Sequence, residues 1–371
     1  MPTILSIIGT RPEGIKMAPV IRELSARAAV HPSLRSVVVS TGQHREMLAP
    51  VLELFGIRPD VDLGLMQPNQ TLSRLTAALF GALDPVVAEH RPDWIVAQGD
   101  TTSVMVAALV AFYHRVAFGH VEAGLRTGDY QRPFPEEMNR RIADLDARAY
   151  FAPTARSRDA LLAEGVPAGR IHVTGNTVVD ALLQAAALPY EPARGPLADL
   201  PPGDRLVLIT AHRRESFGEP FRELCRALRD LATSPAGRSA QFVYPVHLNP
   251  NVRGPVGEIL AGLPNVHLRE PFAYPDLVQA MKRSALILTD SGGIQEEAPS
   301  FGVPVLVMRD TTERPEGVEA GVVELVGTDR ARIVAAATRH LAEARLAVPR
   351  PNPYGDGRAA ARIVDVLLGA A

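Results

Sequence analysis

Short apolar runs alternate with longer amphipathic stretches along almost the whole chain, and this alternation constrains the fold more than any other feature. The strand-length runs of the first half lie at 3–9, 36–41, 94–99, 116–121 and 149–153. Helical patterns lie between them, for example at 15–28 and 71–90. Such β-α alternation is typical of a parallel sheet with helices on both faces. The first half is therefore predicted to form one doubly wound α/β domain.

The same pattern starts again in the second half. Its strand-length runs lie at 205–211, 241–247, 265–270, 285–290 and 303–308. Proline, glycine and small residues make 187–204 the best linker candidate, with the hinge itself allowed slightly earlier. The last stretch, 355–371, has the pattern of an amphipathic helix. We predict two Rossmann-like doubly wound domains facing a cleft, 1–175 with 355–371 and 176–354, with the C-terminal helix packing back on the first domain.

Composition argues against several classes of protein. The chain has 39 Lys and Arg against 41 Asp and Glu, so it lacks the basic surface of a nucleic-acid or anionic-membrane binder. No signal-peptide pattern opens the sequence, and its longest apolar run is too short to span a bilayer, which predicts a cytoplasmic protein. The single cysteine, Cys225, lies in a helical pattern and is expected to be a buried, unreactive thiol.

A tight turn follows the predicted strand at 285–290. Ser291, Gly292 and Gly293 lead into a helical pattern, whose first N–H groups are unpaired and favour an anion. The glycines leave the backbone open to close approach, and Ser291 adds a hydroxyl donor. Glu297, about one helical turn later, is placed to accept hydrogen bonds from ribose hydroxyls. A diphosphate site for a sugar nucleotide is the functional interpretation, and an ordinary glycine turn before a helix is the alternative.

The sequence contains neither a Walker loop nor GxGxxG, and its histidines show no metal-ligand spacing, so we expect no cofactor and no metal. Arginines near other strand ends are candidate phosphate ligands, because a guanidinium matches a phosphate well. Arg314 and Arg11 are in such positions. Lys16 is a further candidate, because lysine otherwise occurs only at Lys282. An exposed surface role is the alternative for Lys16 and Arg314.

Carboxylates follow two neighbouring strand candidates and begin a later helix. Asp100 and Glu122 come after predicted strands, and Glu136 begins a helical pattern with Arg140 one turn on. Parallel strands end at one edge of a sheet, so we expect these acids to lie close together. Mutual repulsion would raise the proton affinity of at least one, which suits proton transfer. Taken singly, Asp100 has an alternative as a helix N-cap, and Glu136 as an ordinary first-turn acid.

His212 follows the first predicted strand of the second half. Because the charge of histidine is adjustable near neutral pH, this side chain is a candidate donor to a departing diphosphate. A structural histidine that caps the next helix is the alternative.

Several stretches in order along nearly the whole chain resemble the non-hydrolysing UDP-N-acetylglucosamine 2-epimerases: GTRPEGIKMAPVI, TGQHREML, QGDTTS, HVEAGLRTGD, PFPEEMNR, TAHRRESFG and TDSGGIQEEAPSFGVPVLVMRDTTERPE. The resemblance implies a fold like that of the two-Rossmann-domain (GT-B) glycosyltransferases, a homodimer, and interconversion of UDP-GlcNAc and UDP-ManNAc for cell-surface polysaccharide. It also implies that UDP is eliminated across C1–C2, leaving a 2-acetamidoglucal, and then re-adds with the C2 proton on the opposite face. No redox cofactor takes part.

The resemblance implies roles for individual residues. Asp100, Glu122 and Glu136 form the acid/base set, without an assignment of faces. The residues implied to hold UDP, or to lie near it, are His212, Arg11, Arg314, Ser291, Gly292, Gly293, Glu297, Lys16 and Arg140. The residues that resemble an activating second site for UDP-GlcNAc in bacterial members are Gln43, His44, Gln70, Arg213 and His247. Asn69 stands where members with a well-described effector site often carry a basic residue.

Three alternative functions follow from the same motifs. A glycosyltransferase on this scaffold would also bind UDP, but it would not need acids on both faces of C2. A catalytically silent sugar-nucleotide sensor would have no reason to keep the three acids together. A hydrolysing epimerase, which releases free ManNAc and UDP, differs only in the entry of water, and the sequence leaves that possibility open.

Overall fold

The structure of the chain is a computed structural model, and it describes residues 2–42, 45–67, 69–201, 205–342 and 350–369. The chain divides into two compact units. Unit 1 comprises Met1–Gln184 and Tyr354–Ala371, and unit 2 comprises Ala185–Pro353. The first division therefore lies at 184/185, whereas the sequence pattern places it at 175/176.

Unit 1 contains a parallel sheet. Its strands are β1 (Thr3–Ile8), β2 (Arg35–Ser40), β3 (Val61–Asp62), β4 (Trp94–Gln98), β5 (Ala117–Val121), β6 (Ala149–Ala152) and β7 (Ile171–Val173). The first seven helices are α1 (Arg11–Val30), α2 (Arg45–Leu54), α3 (Leu72–His90), α4 (Thr102–His114), α5 (Glu136–Ala143), α6 (Ala155–Ala163) and α7 (Thr177–Ala187). In the part of the chain described, the strand order is β3-β2-β1-β4-β5-β6-β7. The order reverses direction beside β1, as in a doubly wound sheet.

Unit 2 repeats this architecture. Its strands are β8 (Arg205–Thr210), β9 (Ala240–Pro245), β10 (Val266–Arg269), β11 (Ser284–Thr289), β12 (Val305–Val307) and β13 (Val323–Leu325). Its helices are α8 (Glu219–Thr233), α9 (Pro250–Leu260), α10 (Tyr274–Arg283), α11 (Gly292–Glu297), α12 (Pro315–Glu319) and α13 (Arg330–Ala342). The strand order within the described residues is β10-β9-β8-β11-β12-β13, which places β8 beside β11 as β1 lies beside β4.

The predicted α/β class and the two Rossmann-like domains are confirmed. Every strand predicted from an apolar run is present to within a residue or two, and the neighbouring strands that are described pair in parallel. The strands β3, β7 and β13 were not predicted, because each has only two or three residues and one of them is polar, so that none forms an apolar run.

The final helix, α14 (Ala359–Leu367), packs on unit 1, and this prediction is also confirmed. Its buried face consists of Ala360, Ile363, Val364 and Leu367. These side chains share a core cluster with residues of β1 and α1. Asp180 of α7 caps the N-terminus of α14, since its carboxylate accepts the N–H groups of Ala359 at 3.2 Å and Ala360 at 2.8 Å. These two N–H groups of the first turn of α14 thus find their hydrogen-bond acceptor on a different helix.

Cys225 is buried in the core of unit 2, as predicted. Burial raises the pKa of its thiol to about 12, so the thiolate needed for reactivity is scarce near neutral pH. Within the described ranges, no helix has both the length and the apolar character that crossing a bilayer requires.

The burial of α14 predicts a stability difference between two Leu→Ala variants. Leu367 is 3% exposed and Leu145 of the same unit is 77% exposed. Leu367→Ala should lower the free energy of unfolding by about 2–5 kcal/mol, because it removes buried apolar atoms and leaves a cavity. Leu145→Ala, the matched control, should change it by less than about 0.5 kcal/mol. Urea unfolding followed by the fluorescence of Trp94, the only tryptophan, reports on unit 1; equal costs for both variants would contradict the packing of α14.

Candidate active site

Glu122, directly after β5, is the most constrained of the predicted acids. Its φ is 66°, a left-handed conformation that residues other than glycine rarely adopt, and the residue is only 7% exposed. Its carboxylate accepts hydrogen bonds from Lys16 Nζ at 2.6 and 2.7 Å, from Asn176 Nδ2 at 2.9 Å, and from Gln98 Nε2. Unfavourable backbone conformations that are held by many contacts cluster at functional sites. Glu122 therefore has the environment of a functional residue.

Asp100 lies between β4 and α4, and its side chain is 30% exposed. Arg140 Nη2 donates to its carboxylate, and Asn139 Nδ2 donates to its backbone carbonyl at 2.9 Å. The structural alternative for this residue is wrong, because the N-cap of α4 is Thr101, whose hydroxyl accepts the N–H of Val104 at 3.4 Å. The carboxylate of Asp100 is consequently not occupied by helix capping.

Glu136 is the first residue of α5 and is half-buried. It precedes Asn139 by three residues and Arg140 by four, and residues at this spacing share a helix face. Both of those residues contact Asp100. Helix geometry thus places Glu136 on the face of α5 that binds Asp100.

The neighbouring Glu137 has a structural role. Its buried carboxylate accepts the N–H groups of Thr127 at 3.1 Å and Gly128 at 3.3 Å, and ion pairs with Arg140 and Arg141. Burial alone would raise the pKa of Glu137, but the backbone donors and the two guanidinium groups outweigh it and hold the pKa below its usual value. Glu137 fixes the loop before α5.

Cations accompany two of the three predicted acids. Lys16 pairs with Glu122, and Arg140 pairs with Asp100. The sequence predicts mutual repulsion among the acids, whereas in the structure each of these two is paired with its own counter-charge. Lys16 and Arg140 were predicted to lie near the nucleotide; in the structure they bind the acids, and a direct role in holding UDP stays a prediction.

Glu13 also lies in this region and was not among the predicted site residues. Its buried carboxylate accepts the N–H groups of Gly9 at 2.7 Å and Thr10 at 2.6 Å, and also binds the hydroxyl of Thr101. Burial raises the pKa of Glu13, against the opposing effect of these donors. The side chain links the loop after β1 to the loop that contains Asp100. The T-x-x-E spacing of a capping box was the available signal.

His120 on β5 was also missed, and it lies behind Asp100. Its ring is fully buried, with Nε2 2.7 Å from the carbonyl oxygen of Gly99 and Nδ1 2.6 Å from the carboxylate of Asp144. Both partners are acceptors, so both ring nitrogens donate and the ring is an imidazolium. Burial alone would lower the pKa of His120, but Asp144 and the Gly99 carbonyl raise it above its usual value. Because Gly99 precedes Asp100, this charge fixes the backbone at that acid.

The Asp144 carboxylate completes the network. It accepts Arg126 Nη2 at 2.8 Å and the N–H of Gly124 at 3.3 Å, in addition to His120. Burial alone would raise the pKa of Asp144, but His120 and Arg126 outweigh it and lower the pKa. Gly124 lies two residues after Glu122, and Gly99 lies directly before Asp100. The network of His120 and Asp144 therefore binds the backbone beside both Asp100 and Glu122.

Loss of this buried pair should be costly. Asp144→Asn should lower the free energy of unfolding by about 3–5 kcal/mol, because it leaves the buried His120 without its anion. The matched control is Asp84→Asn at the largely exposed His114–Asp84 pair, where Nε2 and the carboxylate are 2.7 Å apart and the expected cost is about 0–1 kcal/mol. Urea unfolding at pH 6 measures both costs.

The difference between wild type and Asp144→Asn should also depend on pH. The raised pKa of His120 gives stability that is complete below the unfolded value and is lost as pH rises through the folded one. The lowered pKa of Asp144 gives stability that is lost as pH falls through its folded value. The difference in unfolding free energy between wild type and Asp144→Asn should therefore be largest at pH values that lie between the folded pKa of Asp144 and the folded pKa of His120. A difference that persists undiminished at high pH would contradict a charged His120.

In unit 2, the predicted diphosphate turn follows β11 directly. Ser291 is the N-cap residue of α11, which begins at Gly292 and Gly293. A Cβ at position 292 would lie 3.6 Å from Arg213 Nη2, which is an ordinary van der Waals distance, so this guanidinium is in contact range of the start of α11. Arg213, predicted for the effector site, therefore lies beside the turn that is predicted to hold the diphosphate.

Glu297 and Arg314 are both bound to other residues of unit 2. The carboxylate of Glu297 accepts the hydroxyl of Tyr274 at 3.0 Å, and Arg314 Nε donates to the buried Glu296. These contacts orient the two side chains. Their predicted roles, with ribose and diphosphate respectively, stay predictions. Arg11 begins α1 of unit 1, and its side chain makes no hydrogen bond with the residues described.

His212 lies in the loop after β8, and a carboxylate holds its backbone. Asp290 Oδ2 accepts the N–H groups of His212 at 2.6 Å and Arg213 at 2.7 Å, and the His212 ring stacks on His247 with centroids 5.2 Å apart. The capping alternative is wrong, because the N-cap residue of α8 is Gly218. Burial, His247 and Arg213 hold the pKa of His212 below its usual value, against the opposing pull of Asp290.

The predicted effector residues fall into different parts of the chain. Gln43 and His44 lie outside the described residues. Gln70 belongs to unit 1, whereas Arg213 and His247 belong to unit 2. Asn69 has a φ of 55°, and asparagine tolerates this left-handed conformation better than most residues do.

Two Rossmann-like domains with hydrogen-bonded carboxylates, cations and a histidine after their strands define an α/β enzyme. A family model described as UDP-N-acetylglucosamine 2-epimerase matches residues 26–368. The chain belongs to this family.

Relatives and solved structures agree with this assignment. The UDP-N-acetylglucosamine 2-epimerase of Escherichia coli K12 is 51% identical, over 98% of each chain. A crystal structure of the Neisseria meningitidis UDP-GlcNAc 2-epimerase bound to UDP-GlcNAc matches with a TM-score of 0.86 and 43% identity, over 99% of this chain and 100% of the other. The Methanocaldococcus jannaschii enzyme in complex with UDP-GlcNAc and UDP matches with a TM-score of 0.81 and 32% identity, over 99% of each chain. The predicted GT-B-like fold class is thus confirmed.

Proposed function

We propose that this chain catalyses the reversible epimerisation of UDP-GlcNAc to UDP-ManNAc at C2 of the sugar. The environment of Glu122 is the observation that supports this function most directly. A buried carboxylate on a left-handed backbone, held by an ammonium and two amides, is the kind of constrained arrangement that clusters at functional sites. In a family of UDP-N-acetylglucosamine 2-epimerases, a group for proton transfer at the sugar explains it.

The reaction proceeds by elimination and re-addition. The C2 hydrogen is not acidic, so cleavage of the C1–O bond runs ahead and UDP departs with the electron pair. A carboxylate takes the C2 proton, and the C1–C2 double bond of 2-acetamidoglucal forms. UDP then re-adds at C1 while an acid delivers a proton to the opposite face of C2. Carboxylates serve twice, because they stabilise the positive charge that develops at C1 and also transfer protons.

Asp100, Glu122 and Glu136 are the acid/base set of this proposal. The side chain of Asp100 is partly exposed and that of Glu122 is buried, and different environments suit groups that act at different steps. Lys16 and Arg140 keep the two carboxylates in place. The faces of C2 on which they act are not assigned.

The UDP moiety is assigned to the turn at Ser291, Gly292 and Gly293, with His212 as the donor to the departing diphosphate. Its other proposed ligands are Arg11, Arg314 and, at the ribose, Glu297. The neighbouring N–H groups at the start of α11 and the guanidinium groups all favour an anion. The UDP and UDP-GlcNAc found with the relatives are ligands of the kind this set would hold.

The biological setting comes from the resemblance alone. A homodimer, a cytoplasmic location, the supply of ManNAc units to cell-surface polysaccharide, and activation by UDP-GlcNAc stay predictions. Asn69 departs from the effector pattern, so the activating site needs a test of its own. A hyperbolic rather than sigmoidal dependence of rate on UDP-GlcNAc concentration would indicate that this chain lacks that site.

Deuterated water provides the test of elimination. Purified protein incubated with UDP-GlcNAc, without added NAD or metal, should form UDP-ManNAc that carries deuterium at C2, because the proton that returns comes from solvent. Proton NMR of the product measures the label. Epimer without deuterium would contradict the mechanism, and free ManNAc with UDP would identify a hydrolysing enzyme instead.

Variants of the acids separate chemistry from binding. Asp100→Asn and Glu122→Gln should lower kcat by roughly 10²- to 10⁴-fold, because each removes a group for proton transfer. UDP affinity, measured by calorimetry, should change little, since the proposed UDP ligands lie mainly in unit 2. Asp84→Asn and Glu53→Gln, at exposed positions of unit 1, are the matched controls and should retain the wild-type rate. Wild-type rates for Asp100→Asn and Glu122→Gln would show that neither acid takes part in the reaction.

A further inference from the structure

One carboxylate oxygen of unit 2 has no evident purpose in holding the fold. Asp290 is 1% exposed, and its Oδ2 accepts two backbone N–H groups of the loop after β8. Its Oδ1 is buried and has no hydrogen-bond partner among the residues that the structure describes. A buried carboxylate oxygen without a partner is costly, so its presence calls for an explanation.

A neighbouring ionisable group, His212, explains the orientation of this oxygen. His212 Nδ1 lies 3.8 Å from Asp290 Oδ1, which is too far for a hydrogen bond but close enough for attraction between charges. The His212 ring is nearly parallel to that of His247, with an angle of 9° between them, so stacking restricts its plane. The His212 side chain is 41% exposed. Its Nδ1 edge is therefore next to Asp290 while part of the ring remains accessible to a ligand.

We propose that Asp290 is a positioning residue for His212: its Oδ2 fixes the loop, and its Oδ1 accepts Nδ1–H when the ring becomes charged. Nε2–H is then directed to the departing diphosphate. This inference rests on the proposed function and deepens it, because it explains how His212 is prepared for an anionic ligand. A carboxylate that orients an imidazole and stabilises its charged form acts in this way in other enzymes.

The charges around His212 agree with such a role. The groups that face it are Asp290, Arg213 and His247. Burial, His247 and Arg213 lower the pKa of His212, and Asp290 opposes them, so in the absence of ligand the ring loses its proton more readily than an exposed histidine does. A bound diphosphate adds negative charge and favours uptake of a proton from water. Asp290 then stabilises the imidazolium from the opposite edge of the ring.

Asp290→Asn separates the two functions of this side chain. The amide oxygen can still accept both backbone N–H groups, so the loop is retained, while the negative charge beside Nδ1 is lost. Asp290→Ala removes both. The matched control is Asp310→Asn, which changes an exposed carboxylate at the end of the neighbouring β12.

We expect Asp290→Asn to lower kcat roughly 10- to 100-fold, because a proton donor is mispositioned, with the KM for UDP-GlcNAc changed by less than about threefold. The alkaline limb of the kcat profile should move to lower pH, since the pKa of His212 falls when Asp290 loses its charge. Asp310→Asn should match the wild type in all three quantities. A wild-type kcat and an unshifted alkaline limb for Asp290→Asn would overturn the proposal.

Histidine NMR provides a readout that does not depend on turnover. In ¹⁵N-histidine-labelled protein, with the His212 signal assigned by its loss in His212→Gln, UDP should raise the pKa of His212 more in the wild type than in Asp290→Asn. Equal titrations in the two proteins would refute the coupling, even where Asp290→Ala fails to fold. If the wild type shows no epimerase activity, the proposed function fails, and the titration still decides whether Asp290 controls the charge of His212.

Discussion

Each unit depends on one buried carboxylate that holds the loop after its first strand. In unit 1, Glu13 Oε2 accepts the N–H groups of Gly9 and Thr10, and in unit 2 Asp290 Oδ2 accepts two successive N–H groups after β8. Hydrogen bonds of N–H groups to a charged acceptor are short and strong, and these four range from 2.6 to 2.7 Å. Since both loops lie where ligands bind in doubly wound sheets, the carboxylates fix the edges on which a site can be built.

At this edge of the sheet in unit 1, two of the predicted acids are paired with cations of the same unit. Lys16 and Arg140 neutralise Glu122 and Asp100, and the imidazolium of His120 lies beneath the loop that holds Asp100. Breaking a buried ion pair is costly, so these partners restrict the acids to one arrangement. Fixed charges and dipoles need little reorganisation during a reaction, and this is an important source of catalytic stabilisation.

The sequence predicts what depends on local pattern and misses what depends on distant partners. Apolar runs predict the longer strands, and their ends predict the acids, because parallel strands end at one edge. The imidazolium of His120 requires Asp144, which is 24 residues away, and the start of α14 requires Asp180, which is 180 residues from Ala360. No local pattern reveals such pairs. Glu13 is different, because the T-x-x-E spacing of its capping box is a local pattern.

Glu13 and Asp290 also show why similar geometry supports different roles. Both oxygens of Glu13 have partners, because Oε1 binds the hydroxyl of Thr101 while Oε2 holds the backbone. Asp290 uses Oδ2 in the same way but has no described hydrogen-bond partner for Oδ1, which lies near a titratable ring. Because both of its oxygens hold backbone or hydroxyl partners of neighbouring loops, Glu13 is suited to maintaining those loops. Asp290 keeps one oxygen beside a histidine and can respond to the charge of a ligand, and that difference separates the structural role of Glu13 from the proposed role of Asp290.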